Sequence, residues 1–161
     1  MRGYAPKGQT PVVLAFPRIE KINMISAVNM CGKCHYYCYE ESMTQQLFIE
    51  YMGKLIEYNG RKVFLIVDNL KVHHGKLVDE WLAKHHDRIR VFYTPAYSPE
   101  INPDEYLNHI LKQNIHSGDI PHTQKQILWK TEKFMGELQE QPERVANLFR
   151  HKQLAFISCC T

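Results

Sequence analysis

Apolar and polar positions change rhythm several times along the chain, and each rhythm predicts an element. Pro11 to Phe16, "PVVLAF", is an unbroken apolar run of strand length. Lys21 to Met30, "KINMISAVNM", puts Ile22, Met24 and Ser26 on one parity and predicts a second strand. "CGK" then turns the chain, with Gly32 supporting a hairpin, and His35 to Tyr39, "HYYCY", returns as a third strand. In "TQQLFIEYMGKLIEYNG", Leu47, Phe48, Tyr51, Leu55 and Ile56 recur at helical spacing, with Thr44 as the cap and Gly60 as the stop. Val63 to Val67 is apolar without alternation, which predicts a central strand covered on both faces. "GKLVDEWLAKHH" reads as an amphipathic helix with Leu77, Val78, Trp81 and Leu82 inward, and "IRVFYTP" as the next strand. "PAYSPEINPDE" is a proline-punctuated loop, and a helix starts at Pro103, a residue favoured in the first helical turn. Two further helical stretches, over about 122–151, are broken near Pro142.

Three strands followed by helix–strand alternation predict an α/β fold, a mixed sheet flanked by helices. The 161 residues suit a single domain spanning 1–161. With 44% hydrophobic and 23% charged residues the composition is that of an ordinary globular chain, and a net charge of +3 is compatible with a nucleic-acid partner without requiring one. No apolar run reaches the roughly 18 residues of a membrane helix, and the first residues lack the apolar core of an export signal. A cytoplasmic protein with five reduced thiols is the expectation.

Chemistry concentrates at two places. Asp68 follows the most buried-looking strand, where ligand-binding groups gather in sheets with parallel strands, although "DN" is also a common turn. In "NPDE", Asn102 suits a helix cap and Glu105 the third helical position, where it either reaches back to the cap or faces a metal. One helix, one strand and one loop separate Asp68 from Glu105, and such a unit returns the chain to the same end of a sheet. Two adjacent carboxylates repel, and a hard divalent cation such as Mg2+ or Mn2+ compensates them. His73 and His74 either precede the next helix or contact a phosphate, while His85 and His86 suit a helix C-terminus. Lys71, Lys76, Lys112, Lys125 and Lys130 are candidate phosphate contacts or solvated surface. Cys31, Cys34, His35 and Cys38 suggest zinc, but all four fall in one hairpin, whereas structural zinc joins ligand pairs from separate segments.

The stretches "GYAPKGQTPVV", "VFLIVDNLKVHHGKLVDEWL", "IRVFYTPAYSPEINPDEYLNHILK" and "PERVANLFRH" together resemble the catalytic domain of insertion-sequence transposases of the DDE superfamily, bacterial relatives of the mariner elements. The resemblance runs nearly end to end. It implies an RNase H-like, retroviral-integrase-like fold in which Asp68 is the second catalytic carboxylate and Glu105 the third. Three acids in that family hold two divalent ions, Mg2+ or Mn2+, while water and then a DNA 3′-hydroxyl attack phosphodiesters. The implied partner is DNA, both transposon ends and target. Asn69 and Asn102 would shape the site, and Asp104 is a rival carboxylate to Glu105.

The front of the chain departs from the family pattern. The first catalytic aspartate belongs on a strand just before "GYAPKGQTP", yet only Met1 and Arg2 precede Gly3, and no aspartate occurs before Asp68. The expectation is therefore the C-terminal part of a catalytic domain, lacking its first strand and impaired in cleavage and strand transfer. An edge left open this way invites a homodimer or pairing with a full-length transposase. The alternative is a non-catalytic DNA-binding or dimerisation module of the same descent.

Overall fold

The fold begins with a hairpin. Strand β1 (Asn23–Val28) pairs antiparallel with β2 (Cys34–Tyr39), Val28 opposite Cys34 and Asn23 opposite Tyr39. The computed structural model describes residues 21–95, 101–150 and 154; the strand expected at 11–16, residues 96–100 of the expected loop, and Cys159 and Cys160 lie outside them. Gly32 makes the hairpin turn at φ 83, and a Cβ there would meet Pro142 Cβ at 2.5 Å, so this position needs glycine for both backbone and space.

Helix α1 (Gln45–Asn59) starts where the Thr44 hydroxyl accepts the Leu47 amide and stops at Gly60, left-handed at φ 62. It leads into β3 (Val63–Val67), a short 3-10 turn (Lys71–His73), α2 (Lys76–Lys84) and β4 (Ile89–Tyr93). Strands β3 and β4 pair in parallel, Val63 opposite Ile89 and Val67 opposite Tyr93, which is the crossover that the helix between them requires. Helices α3 (Pro103–Ile115), α4 (Gln124–Gln139) and α5 (Pro142–Asn147) follow, α4 opening on a reciprocal capping box between Thr123 and Gln126.

Two apolar clusters hold these elements. Phe48, Met52, Leu55 and Ile56 of α1 pack on Leu65, Val78 and Ile89, with Ile25 and Ala27 of β1 against the same group. Leu107, Leu111, Phe134, Met135, Leu138 and Val145 of α3–α5 form the other cluster, joined by Cys34 and flanked by Met24 and Val28. The hairpin thus has one face on α1 and the other on α3–α5, as strand alternation dictates.

Two expectations from the sequence need correction. Strand β3 is covered on one face only: Leu65 is buried, but Phe64 and Ile66 are 65% and 68% exposed, because no described element packs on their side. In α2, Val78 is buried and Trp81 and Leu82 flank the α1 cluster, but Leu77 points out at 53% exposure, one step round the helix from the buried stripe. Both strand senses of a mixed sheet are present: among the described residues β1–β2 pair antiparallel and β3–β4 parallel, as two two-stranded ladders.

Candidate functional site

Parallel pairing places Asp68 at the C-terminal end of β3, next to the end of β4. The 3-10 turn then folds His73 back beneath it. His73 is 6% exposed and lies against the Phe48 ring at 4.3 Å between centroids. Its Nδ1 stands 3.2 Å from the Asp68 carbonyl oxygen and 3.0 Å from Asp68 Oδ1. With the proton on Nδ1, the bond aims at the carbonyl; Oδ1 is in ion-pair range but off the donor axis, and so is a buried oxygen without a hydrogen bond. The Asp68 side chain is otherwise 46% exposed. One end of this carboxylate is buried beside His73 and the other faces solvent.

The neighbouring polar residues complete the turn. His74 Nε2 bonds Asn69 Oδ1, and its ring stacks on Tyr93 at 4.0 Å. The Tyr93 hydroxyl donates to the His73 carbonyl oxygen at 3.0 Å. Both histidines therefore have structural partners in the loop that carries Asp68.

Helix α3 carries an acidic pair, Asp104 and Glu105. Asn102 caps it by accepting the Asp104 amide at 3.0 Å, and Pro103 takes the first helical position, as the sequence predicts. Glu105 faces solvent, whereas Asp104 turns inward to β1, accepting from the Ser26 hydroxyl and from Asn108 Nδ2 at 3.3 Å. Burial pushes the Asp104 carboxyl from 3.8 up to about 6; the Ser26 and Asn108 hydrogen bonds oppose this, and the charges of Glu105 and Asp68 add to it. Ser26 and Asn108 were not singled out from the sequence. Asn108 is one helical turn after Asp104, and Ser26 is the polar residue on an otherwise apolar face of β1, between Met24 and Val28.

The rim offers hard oxygen donors: a half-exposed carboxylate with an orphaned buried oxygen at Asp68, and an exposed carboxylate at Glu105. Such donors suit Mg2+, which is commonly bound through one or two carboxylates and retains several waters. Among the described residues, no three His, Cys, Asp or Glu side chains gather as a closed metal cluster. The cysteine hairpin gathers none either. Cys34 joins the α3–α5 core with its thiol pushed up to about 12, Cys38 is pushed up to about 11, in both cases chiefly by burial, and Cys31 is exposed. His35 lies on the opposite face of the strand, against Tyr51 and Tyr58.

Comparison with known proteins agrees on descent. The family described as DDE superfamily endonuclease matches residues 1–128. The insertion element IS630 uncharacterized 39 kDa protein of Shigella sonnei is 34% identical over 96 residues, 58% of this chain and 28% of that protein. Among solved structures, the catalytic domain of Mos1 mariner transposase superposes with a TM-score of 0.61 at 16% identity, covering 89% of this chain and 77% of that one. The Mos1 mariner paired-end complex with Mn superposes with a TM-score of 0.62 at 14% identity, covering 97% of this chain and 50% of that one. The chain thus spans less than a third of its curated relative and half of the longer Mos1 chain. At such identities the solved structures establish the fold, which is RNase H-like. Among the described residues no helix is long and apolar enough to cross a membrane.

Proposed function

The chain belongs to the DDE superfamily endonucleases, and from that premise we propose that its acidic rim is a divalent-metal site for phosphodiester cleavage and strand transfer on DNA. Asp68 and Glu105 are the metal-holding carboxylates in this reading. Bound there, Mg2+ or Mn2+ supplies charge neutralisation at the scissile phosphate and a water of lowered pKa. His73 ties down the Asp68 main chain, Asn69 and His74 hold the loop, and Asn102 sets the first turn of α3 so that Glu105 projects outward. Asp104 braces α3 against β1 through Ser26.

The observation that carries this reading is the Oδ1 of Asp68, buried without a hydrogen bond at the C-terminal end of β3. DNA, as transposon end and target, is the partner; the Mos1 comparison supports it by family. Two carboxylates hold a divalent ion only modestly, so in this reading the pair binds metal with modest affinity. Titration calorimetry with Mn2+ tests the assignment. Asp68→Ala and Glu105→Ala should each weaken binding by at least about tenfold, while Asp104→Asn leaves it within about threefold. Undiminished binding in either alanine variant refutes the assignment. DNA binding that ignores both substitutions and requires no metal would favour the other reading, a non-catalytic DNA-binding or dimerisation module.

A further inference from the structure

Helix α4 buries one side and holds an uncommon pair of residues on the other. Thr131, Phe134, Met135 and Leu138 are its buried side. Trp129 stands diametrically opposite at 60% exposure, with the Lys133 ammonium 5.3 Å from its ring centroid. Gly136, two turns further on, shares the outer side. Glycine in mid-helix weakens the helix relative to alanine. Among the described residues nothing in the fold asks for it, because a Cβ at Gly136 would meet nothing within 4 Å. One face of α4 therefore presents a large apolar ring to solvent and, beyond it, a notch that the chain itself does not fill.

Charge completes the face. Lys125, Glu132, Lys133 and Glu140 are exposed on it, and among the described residues none of them forms an ion pair within the chain. Turning the helix end for end about the point midway between 132 and 133 sets Lys125 opposite Glu140, Trp129 opposite Gly136, and Glu132 opposite Lys133. The face is its own complement, and a two-fold axis repeats each pairing, as an isologous contact requires. A parallel, in-register pair would set lysine on lysine and glutamate on glutamate, so the charges select the antiparallel arrangement. Lys125, Trp129, Glu132 and Gly136 follow in steps of four, three and four, the spacing that keeps one helix face against a partner helix.

We propose that α4 pairs with the α4 of a second copy of this chain, antiparallel about that axis, each Trp129 ring seated over the partner's Gly136. The missing Cβ lets the ring lie against the partner's main chain, which buries most of its apolar surface. The contact from Lys125 to Glu140 is about 22 Å long. One helix face of that length buries less than the roughly 1,200 Å² of a stable interface, so the dimer is weak and forms at high concentration. The exposed ion pairs set its orientation more than its strength. Nucleic acid is the rival occupant, drawn by two lysines and a ring on which bases stack, but Glu132 and Glu140 on the same face repel phosphate. This contact is separate from the strand-edge pairing expected from the sequence, and it uses no residue of the acidic rim.

Sedimentation equilibrium of the full chain tests this from about 10 µM to about 1 mM. Reductant is present throughout, so that the exposed Cys31 does not cross-link copies. A monomer–dimer equilibrium should appear, and Trp129→Ala should weaken it by about tenfold or more. Gly136→Ala separates an interface from a structural role. It should raise the melting temperature of the dilute monomer, because alanine favours helix, and yet weaken the dimer by about tenfold or more by filling the notch. Lys125→Glu should weaken the dimer by about threefold, and adding Glu140→Lys to the same chain should restore it to within about twofold. Monomer alone at the highest concentration overturns the proposal. So does a dimer indifferent to Trp129→Ala or Gly136→Ala, or a double swap no tighter than Lys125→Glu alone. A twenty-base-pair DNA duplex that dissolves the dimer by occupying Trp129 would make nucleic acid the occupant and overturn it as well. Asp68→Ala should leave the dimer unchanged, which separates this inference from the metal assignment.

Discussion

Phe48→Ala should lower the unfolding free energy by about 3–5 kcal/mol in urea denaturation, the range for emptying an aromatic site in a core. Phe48 is fully buried on α1 at the junction of Leu65, Val78 and Ile89, so its removal leaves a void bounded by three different elements that cannot all close on it. The same ring supports His73, and His73 bonds the Asp68 carbonyl oxygen. The substitution therefore also loosens the acidic rim, and weakened Mn2+ binding should accompany the lost stability. Trp129→Ala is the contrast: at 60% exposure on α4, it should change stability by no more than about 0.5 kcal/mol. A Phe48→Ala loss under about 1 kcal/mol would mean that the α1 cluster is not the core that seats β3.

Asp104→Asn is expected to stabilise the protein at pH 7.5 by on the order of 1–3 kcal/mol, with the gain disappearing below about pH 4. The sign follows from the direction of the shift. Burial raises the Asp104 carboxyl from 3.8 to about 6, so the folded chain holds this proton more tightly than the unfolded one. Stability from Asp104 is greatest below the unfolded value, declines as pH rises between the two, and above about 6 carries the full cost of the buried charge. Asparagine removes that charge yet still accepts from Ser26, and Asn108 satisfies the new amide by turning its own oxygen toward it. Thermal unfolding of both proteins across pH 3.5–8 reads the effect. A destabilised variant at pH 7.5 would show that the carboxylate is compensated rather than strained.

Local features of the fold were legible because their causes are local. Thr44 and Gly60 bound α1, Asn102 and Pro103 start α3, and Pro142 separates α4 from α5, each through backbone geometry that the residue itself imposes. The exposure of Phe64 and Ile66 was not legible. An apolar run states that a strand can be covered on both faces, not that an element is present to do so. Leu77 was misplaced by one position for a similar reason, since the phase of α2 against α1 is fixed by Val78, a tertiary contact.

The site divides in the same way. The parallel pairing that a strand–helix–strand unit requires is present between β3 and β4, and it puts Asp68 at the C-terminal end of β3. Which acid of "NPDE" turns inward depends on how α3 meets β1, and the hydrogen bond from Ser26 is what selects Asp104 for the interior. The sequence left His73 open between loop partner and ligand contact; in the fold it is buried against Phe48 and bonds the Asp68 carbonyl oxygen, partners that depend on α1, distant along the chain.

Paramagnetic broadening by substoichiometric Mn2+ is the most direct test of the central claim, that acids distant in sequence form one cation-binding rim. Amide signals of Asp68, Asn69, Asp104 and Glu105 should broaden first and together, while those of Cys31 to Cys38 remain sharp. Broadening confined to one of the two segments, or centred elsewhere on the molecule, would contradict the account.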